Sequence, residues 1–177
     1  MTIPVTGVTL NKSNATLKKG ATEKLTATVQ PPKATNKTVT WESDKTSVAT
    51  VSDGTVTAKG VGSANITVKT GDGEKTAKCT VTVTDSVTAV NISGTVQVGQ
   101  TLTATTTPAS ATVTYEWQKA DTAGGAYTAI GGATAKTYQL TAGEQGKFIK
   151  VKVTGTGNYT GTQTSAATSA VTAAGGG

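Results

Sequence analysis

Between Thr38 and Val68 apolar and polar residues alternate, in the run TVTWESDKTSVATVSDGTVTAKGVGSANITV. Val39 and Trp41 face one way, and Thr38, Thr40 and Glu42 face the other. That is the period of two of a half-buried strand. Two short β-branched runs then flank Asp53-Gly54, a dipeptide that supplies the positive φ angles a tight hairpin turn requires. A third run, Ala64 to Val68, follows two glycines.

The alternation continues on both sides. Upstream, Val5 to Leu10 predicts an opening strand with Val8 and Leu10 inward. Ala15 to Lys18 predicts a short edge segment. Glu23 to Gln30 predicts a strand with Leu25, Ala27 and Val29 on one face, stopped at Pro31-Pro32 because proline cannot donate to a ladder. Downstream, Ala64 to Thr70 leads into a tight turn, GDGEK. Thr76 to Val83 then closes the unit with Ala77, Cys79, Val81 and Val83 on one face. About seven strands in roughly eighty residues predict an immunoglobulin-like sandwich over residues 4–85.

After a short junction at Asp85, Ser86 and Val87, a second unit is expected over residues 88–173. Thr88 to Ser93 and Thr101 to Thr107 alternate, and Val113, Tyr115 and Trp117 share one strand face. Lys119 to Gly132 reads as a polar loop pinned by Tyr127 and Ile130. Thr137 to Leu140 is a short strand. Ile149, Val151 and Val153 point inward, Lys150 and Lys152 outward, and Thr162 to Val171 closes the sandwich. The predicted fold class is therefore all-β: two tandem immunoglobulin-like β-sandwiches, each burying one tryptophan, Trp41 or Trp117, between its sheets.

Composition narrows the chemistry. About forty of the 177 residues are threonine, a β-branched residue that favours strands and whose hydroxyl suits a solvated face. Histidine is absent, which removes the commonest general base and metal ligand. The single cysteine, Cys79, excludes an intramolecular disulfide and a cysteine zinc site. It reads as a small buried apolar residue near Trp41. The net charge is +6, and all 16 basic residues are lysine. Nucleic-acid partners usually recruit arginine and aromatic platforms. Scattered lysines without arginine therefore predict a soluble surface and no nucleic acid.

MTIPVTGVTLNKS has no basic n-region and no apolar run, which predicts no signal peptide. Nothing later is long enough to insert in a membrane. The chain opens almost directly on a domain, as either a complete protein made in a cytoplasm or a piece of something longer.

Other features are weighed against plainer readings. All six asparagines (Asn11, Asn14, Asn36, Asn65, Asn91, Asn158) start an N-x-Ser/Thr triplet, which frequent threonine on alternating strands explains without glycosylation. GDGE at Gly71 to Glu74 lacks the further oxygens a calcium loop needs and reads as a polar hairpin. A lysine–asparagine isopeptide cross-link needs those groups buried together, and the lysines point outward. Gly131-Gly132 and the glycines at 155 and 157 are turns, since no helix follows to cradle phosphate. Tyr127, Tyr138 and Tyr159 read as loop anchors in preference to a carbohydrate-stacking surface.

The stretches VTGVTLNKSNATLKKGATEKLTATVQP, TVTWESDKTSVATVSDGTVTAKGVGSANITV and CTVTV closely resemble the bacterial immunoglobulin-like domain of group 2. In the second half, GTVQVGQTLTA, TYEWQKAD, YTAIGGATAKTYQLT and GKFIKVKVTGTGNYTGTQTS resemble immunoglobulin-like repeats of bacterial cell-surface proteins. The first family occurs in adhesins, surface-layer proteins and phage structural proteins. The resemblance implies a non-catalytic spacer or binding module, with no catalytic, cofactor-binding or metal residues and no cofactor. The expected setting is a virion surface, as a capsid decoration or head-fibre protein partnered by other capsid or tail proteins and weakly by host surface. The alternative is a stalk or adhesion module at a bacterial cell surface, partnered by proteins or glycans. An enzyme would need paired carboxylates, and the 10 acidic residues are scattered. Oligomeric state is left open.

Overall fold

The computed structural model describes residues 1–175. The chain divides into two compact units, Met1–Asp85 and the remainder from Ser86. Both are all-β and immunoglobulin-like.

The first unit carries β1 (Gly7–Leu10), β2 (Asn14–Lys18), β3 (Thr22–Lys24), β4 (Ala27–Gln30), β5 (Val39–Ser43), β6 (Ala49–Ser52), β7 (Thr55–Ala58), β8 (Gly62–Thr70) and β9 (Thr76–Ser86). One layer holds β1 paired with β4 and the ladder β3-β7-β6; the other runs β2-β9-β8-β5. Ile66, Val68, Cys79, Val81 and Val83 are fully enclosed, as the period-two pattern of their strands requires. Leu10 and Trp41 pack against both of this unit's core clusters.

Where a single strand is expected from Glu23 to Gln30, the chain forms two. β3 pairs with β7, and β4 pairs with β1. Between them the Leu25 N–H donates to the Gly54 carbonyl at 2.8 Å, and the Thr26 N–H donates to Asn11 Oδ1 at 2.8 Å. One strand thus serves two partners, and an asparagine side chain bridges the break. The short segment at Ala15 becomes β2, which runs parallel to the closing strand β9, from Asn14 opposite Thr80 to Lys18 opposite Thr84.

The second unit carries β10 (Ala89–Ser93), β11 (Thr101–Thr107), β12 (Val113–Ala120), β13 (Thr128–Ala129), β14 (Thr137–Gln139), a 3₁₀ turn (Ala142–Glu144), β15 (Phe148–Gly155), β16 (Tyr159–Thr160) and β17 (Thr162–Thr164). Its layers are β10-β11-β14 and β13-β12-β15-β17. Leu102, Ala104, Trp117, Ile149, Val151 and Val153 are enclosed between them.

The closing strand is shorter than the expected Thr162 to Val171. Beyond Thr164 the chain still follows β15, but out of step with it. The N–H groups of Ser165, Thr168 and Val171 donate to the carbonyls of Val151, Ile149 and Lys147, so three residues on one side match two on the other. The β15 N–H groups left over are taken by side chains: Val151 donates to Ser165 Oγ and Ile149 to Thr168 Oγ1, each at 3.0 Å.

The Asp53-Gly54 hairpin forms as its sequence predicts, with φ of 47° and 76° at the two residues. Gly54 is fixed twice over. A Cβ there would sit 2.5 Å from the Leu25 carbonyl oxygen and 3.0 Å from Trp41 Cζ2. Gly54→Ala is expected to destabilise the first unit by about 2 kcal/mol. Urea unfolding followed by Trp41 fluorescence in a Trp117→Phe background checks this; an unchanged midpoint would refute the close packing of turn, strand and indole.

Candidate functional site

A connected polar cluster lies beside Trp117. The Trp117 ring is fully buried, and its Nε1–H donates to the Ala135 carbonyl at 2.9 Å. Tyr138 on β14 packs against it with ring centroids 5.8 Å apart. Two residues along β12, Lys119 lies opposite the buried Ile149 and so shares the inward face of Trp117. Its Nζ reaches Glu144 Oε1 at 2.9 Å. Glu144 Oε2 accepts the Thr141 N–H at 3.1 Å and the Thr141 hydroxyl at 2.7 Å.

Glu144 is 3% exposed. Burial pushes its carboxyl up, but hydrogen bonds from Lys119, from Thr141 (side chain and backbone) and from Tyr138 outweigh burial and hold it down at about 2. Tyr138 moves the other way: burial, then the bond to Glu144 and its charge, push the phenol up to about 12. Lysine and carboxylate are thus a satisfied ion pair at the edge of the core. Sequence reading missed this cluster. Its available signal was Thr141-x-x-Glu144, the spacing of a capping box, which forms here on the 3₁₀ turn.

In the first unit the expectation of an enclosed tryptophan needs correction. Trp41 is only partly buried. It sits on β5, the edge strand of its sheet, and is not enclosed as Trp117 is. Its inner side covers Gly54 and touches both core clusters. Cys79 is fully buried opposite Ile66. Burial pushes its thiol up, and the charge of Glu23 adds to this, so it behaves as a core side chain and not as a nucleophile.

The remaining candidates are tied into local structure. Asn36 Oδ1 accepts the Thr38 N–H at 3.0 Å, and Asn65 Nδ2 donates to Asp44 Oδ2 at 2.8 Å. In the GDGE turn, Asp72 Oδ2 accepts the Val5 N–H at 3.0 Å and Glu74 pairs with Lys69 at 2.8 Å. The turn is a polar hairpin whose carboxylates hold the opening segment and a neighbouring strand. Among the described residues no group of three or more His, Cys, Asp or Glu could hold a metal ion, and no helix is long and apolar enough to cross a membrane. Tyr127 and Tyr159, like Tyr138, are tied to their own surroundings. Tyr159 is buried with its hydroxyl 2.9 Å from Ser110 Oγ. Tyr127 donates to the Ala123 carbonyl at 3.0 Å and lies under Lys150 Nζ, 4.2 Å from the ring centroid.

Comparison with known proteins places the first unit. The model of the bacterial Ig-like domain (group 2) matches residues 4–81, so this stretch is similar to such domains. An Ig-like virion protein of Serratia phage KSP90 is 48% identical over 83 residues, which are 46% of this chain and 32% of that protein. The minor capsid protein of Enterobacteria phage T3 is 47% identical over 78 residues, 44% of this chain and 18% of that protein. Similarity also extends to the kappa-carrageenase of Pseudoalteromonas carrageenovora, 45% identical over 82 residues, 46% of this chain and 21% of the enzyme. The chain thus spans a third or less of the length of these curated relatives. Among solved structures, the N-terminal four Ig domains of Dscam1 isoform 4.44 superpose with a TM-score of 0.58 at 12% identity, over 97% of this chain and 47% of that one. At that identity the likeness is one of fold.

The two tryptophan settings predict unequal costs. Trp117→Ala is expected to destabilise the second unit by about 3–5 kcal/mol, the range for truncating an enclosed aromatic, and Trp41→Ala to cost its unit less. Thermal unfolding of both variants checks the order, and equal losses would contradict it. The Glu144 pKa lies below its unfolded value near 4.5. The stability it contributes is therefore complete above that value and is lost as pH falls towards 2. Glu144→Gln is expected to lower the stability of the second unit by about 1–3 kcal/mol at neutral pH and to flatten its loss between pH 4.5 and 2. Parallel acid-unfolding curves for variant and parent would exclude this role.

Proposed function

We propose that this chain is a non-enzymatic structural protein of a phage virion, displayed at the particle surface. One Ig-like unit docks on capsid or tail proteins, and the other projects and holds host surface polymers weakly. The observation that carries this reading is the 48% and 47% identity of the first unit to two phage virion proteins.

The chemistry of the chain supports it. There is no histidine, and the buried carboxylate, Glu144, has its oxygens occupied by Lys119 and Thr141. The side chains that face outward on β9, Thr76, Lys78, Thr80 and Thr82, alternate with the enclosed Cys79, Val81 and Val83. Faces of this kind suit display in water and many weak contacts. The match to kappa-carrageenase covers 21% of that enzyme, so the module is read as an attachment shared by proteins of different activity.

Immunogold labelling of particles and cells from an induced lysogenic culture tests the proposal. Gold on phage heads or tails is the expected result. Gold on cell walls beside bare virions would overturn it in favour of a stalk or adhesion module at the bacterial surface.

A further inference from the structure

Each unit pairs an early segment in parallel with its closing segment, and the two pairings differ in extent. In the first unit β2 and β9 share five register pairs. The ladder is closed at its ends by the Thr80 N–H donating to the Ser13 carbonyl at 2.9 Å and the Lys19 N–H donating to the Thr84 carbonyl at 2.8 Å. The second unit has a single bridge between Gln97 and Thr172. There the Val98 N–H donates to the Thr172 carbonyl at 3.0 Å and the Thr172 N–H to the Val96 carbonyl at 3.1 Å. Two side-chain bonds supplement it, Thr172 Oγ1 to the Val96 carbonyl and Gln97 Nε2 to the Ala173 carbonyl.

Parallel pairing has a mechanical consequence. The chain enters β2 at Asn14, beside Thr80, and leaves β9 beyond Thr84, at the opposite end of the shared ladder. Tension along the chain therefore pulls the two strands past each other and loads all their hydrogen bonds together. Were both pulled ends at the same end of a ladder, the bonds would break one at a time. The first strands are similar in the two units, β1 meeting β4 over four register pairs and β10 meeting β11 over five. The units differ instead at their closing segments, and the parallel pair is the part of them that end-to-end tension loads in shear.

We infer that the chain is built to bear load along its length: the first unit resists extension through the β2–β9 ladder, and the second yields first. This goes beyond the display reading and holds wherever the chain is anchored. Under pull, the yielding unit lengthens the chain while the other unit stays folded.

Single-molecule stretching of the full chain tests it in two geometries. With handles at the two termini, two unfolding events are expected. A second preparation carries one handle at exposed Lys19 through Lys19→Cys and the other at the C-terminus; Cys79, enclosed in the core, stays out of reach of the coupling. In this geometry the pulled ends of β2 and β9 lie at the same end of the ladder. The first unit's event should shift to lower force, below the second unit's, whose event keeps its force in both geometries. The inference is overturned if neither event moves, or if the event that moves is already the weaker one under end-to-end pulling.

Discussion

Neither sandwich is pinned by a disulfide, because the chain has one cysteine. Each unit relies on packing instead, and one indole ring contributes to it in each. In the second unit that ring is sealed: Trp117 is enclosed, its N–H is satisfied and Tyr138 packs beside it. The Lys119–Glu144 pair then closes the edge of the same core with its charges compensated. In the first unit Trp41 reaches in from an edge strand and joins two core clusters while one side of the ring stays in contact with solvent. The same residue type thus gives two kinds of core, one enclosed and one clamped from the rim. An aromatic ring buries 150–250 Å², so either arrangement supplies much of the packing that a unit of this size requires.

Threonine and serine do more than coat the outward faces. Their hydroxyls complete the backbone ladder where strands break step. Ser165 and Thr168 accept N–H groups that no carbonyl reaches. Thr70 ties the turn that follows β8, donating to the Asp72 carbonyl and accepting the Lys75 N–H. A buried N–H without a partner is costly. A chain rich in short hydroxyl side chains can therefore tolerate irregular strand edges that a more apolar sequence could not.

Alternation made most of the fold legible. Ile149, Val151 and Val153 on β15, and Cys79, Val81 and Val83 on β9, point inward as their spacing predicts. Asp53-Gly54 marked its hairpin because only a few residues adopt the positive φ angles the turn needs. What could not be read depends on partners distant in sequence. The break at Leu25 follows from β3 and β4 answering to different strands. The exposure of Trp41 follows from β5 lying at an edge, which alternation along one strand does not reveal. Glu144 did not stand out along the chain because, apart from Thr141, its stabilising contacts come from Lys119, 25 positions away, and from a phenol on another strand. The family resemblance of the first unit was legible in contiguous stretches. The role of the whole chain was not, since Ig-like sandwiches carry many functions.

The three-for-two match between residues 165–171 and β15 also bears on crowding. A free strand edge invites a neighbour when its donors and acceptors repeat every two residues, because an incoming strand then finds a register along its whole length. Here the repeat is three, and two of the groups facing inward are hydroxyls. A second chain laid along this border would fall out of phase within a few residues. Many copies held close together would accordingly remain separate molecules at this border and not fuse into a continuous sheet.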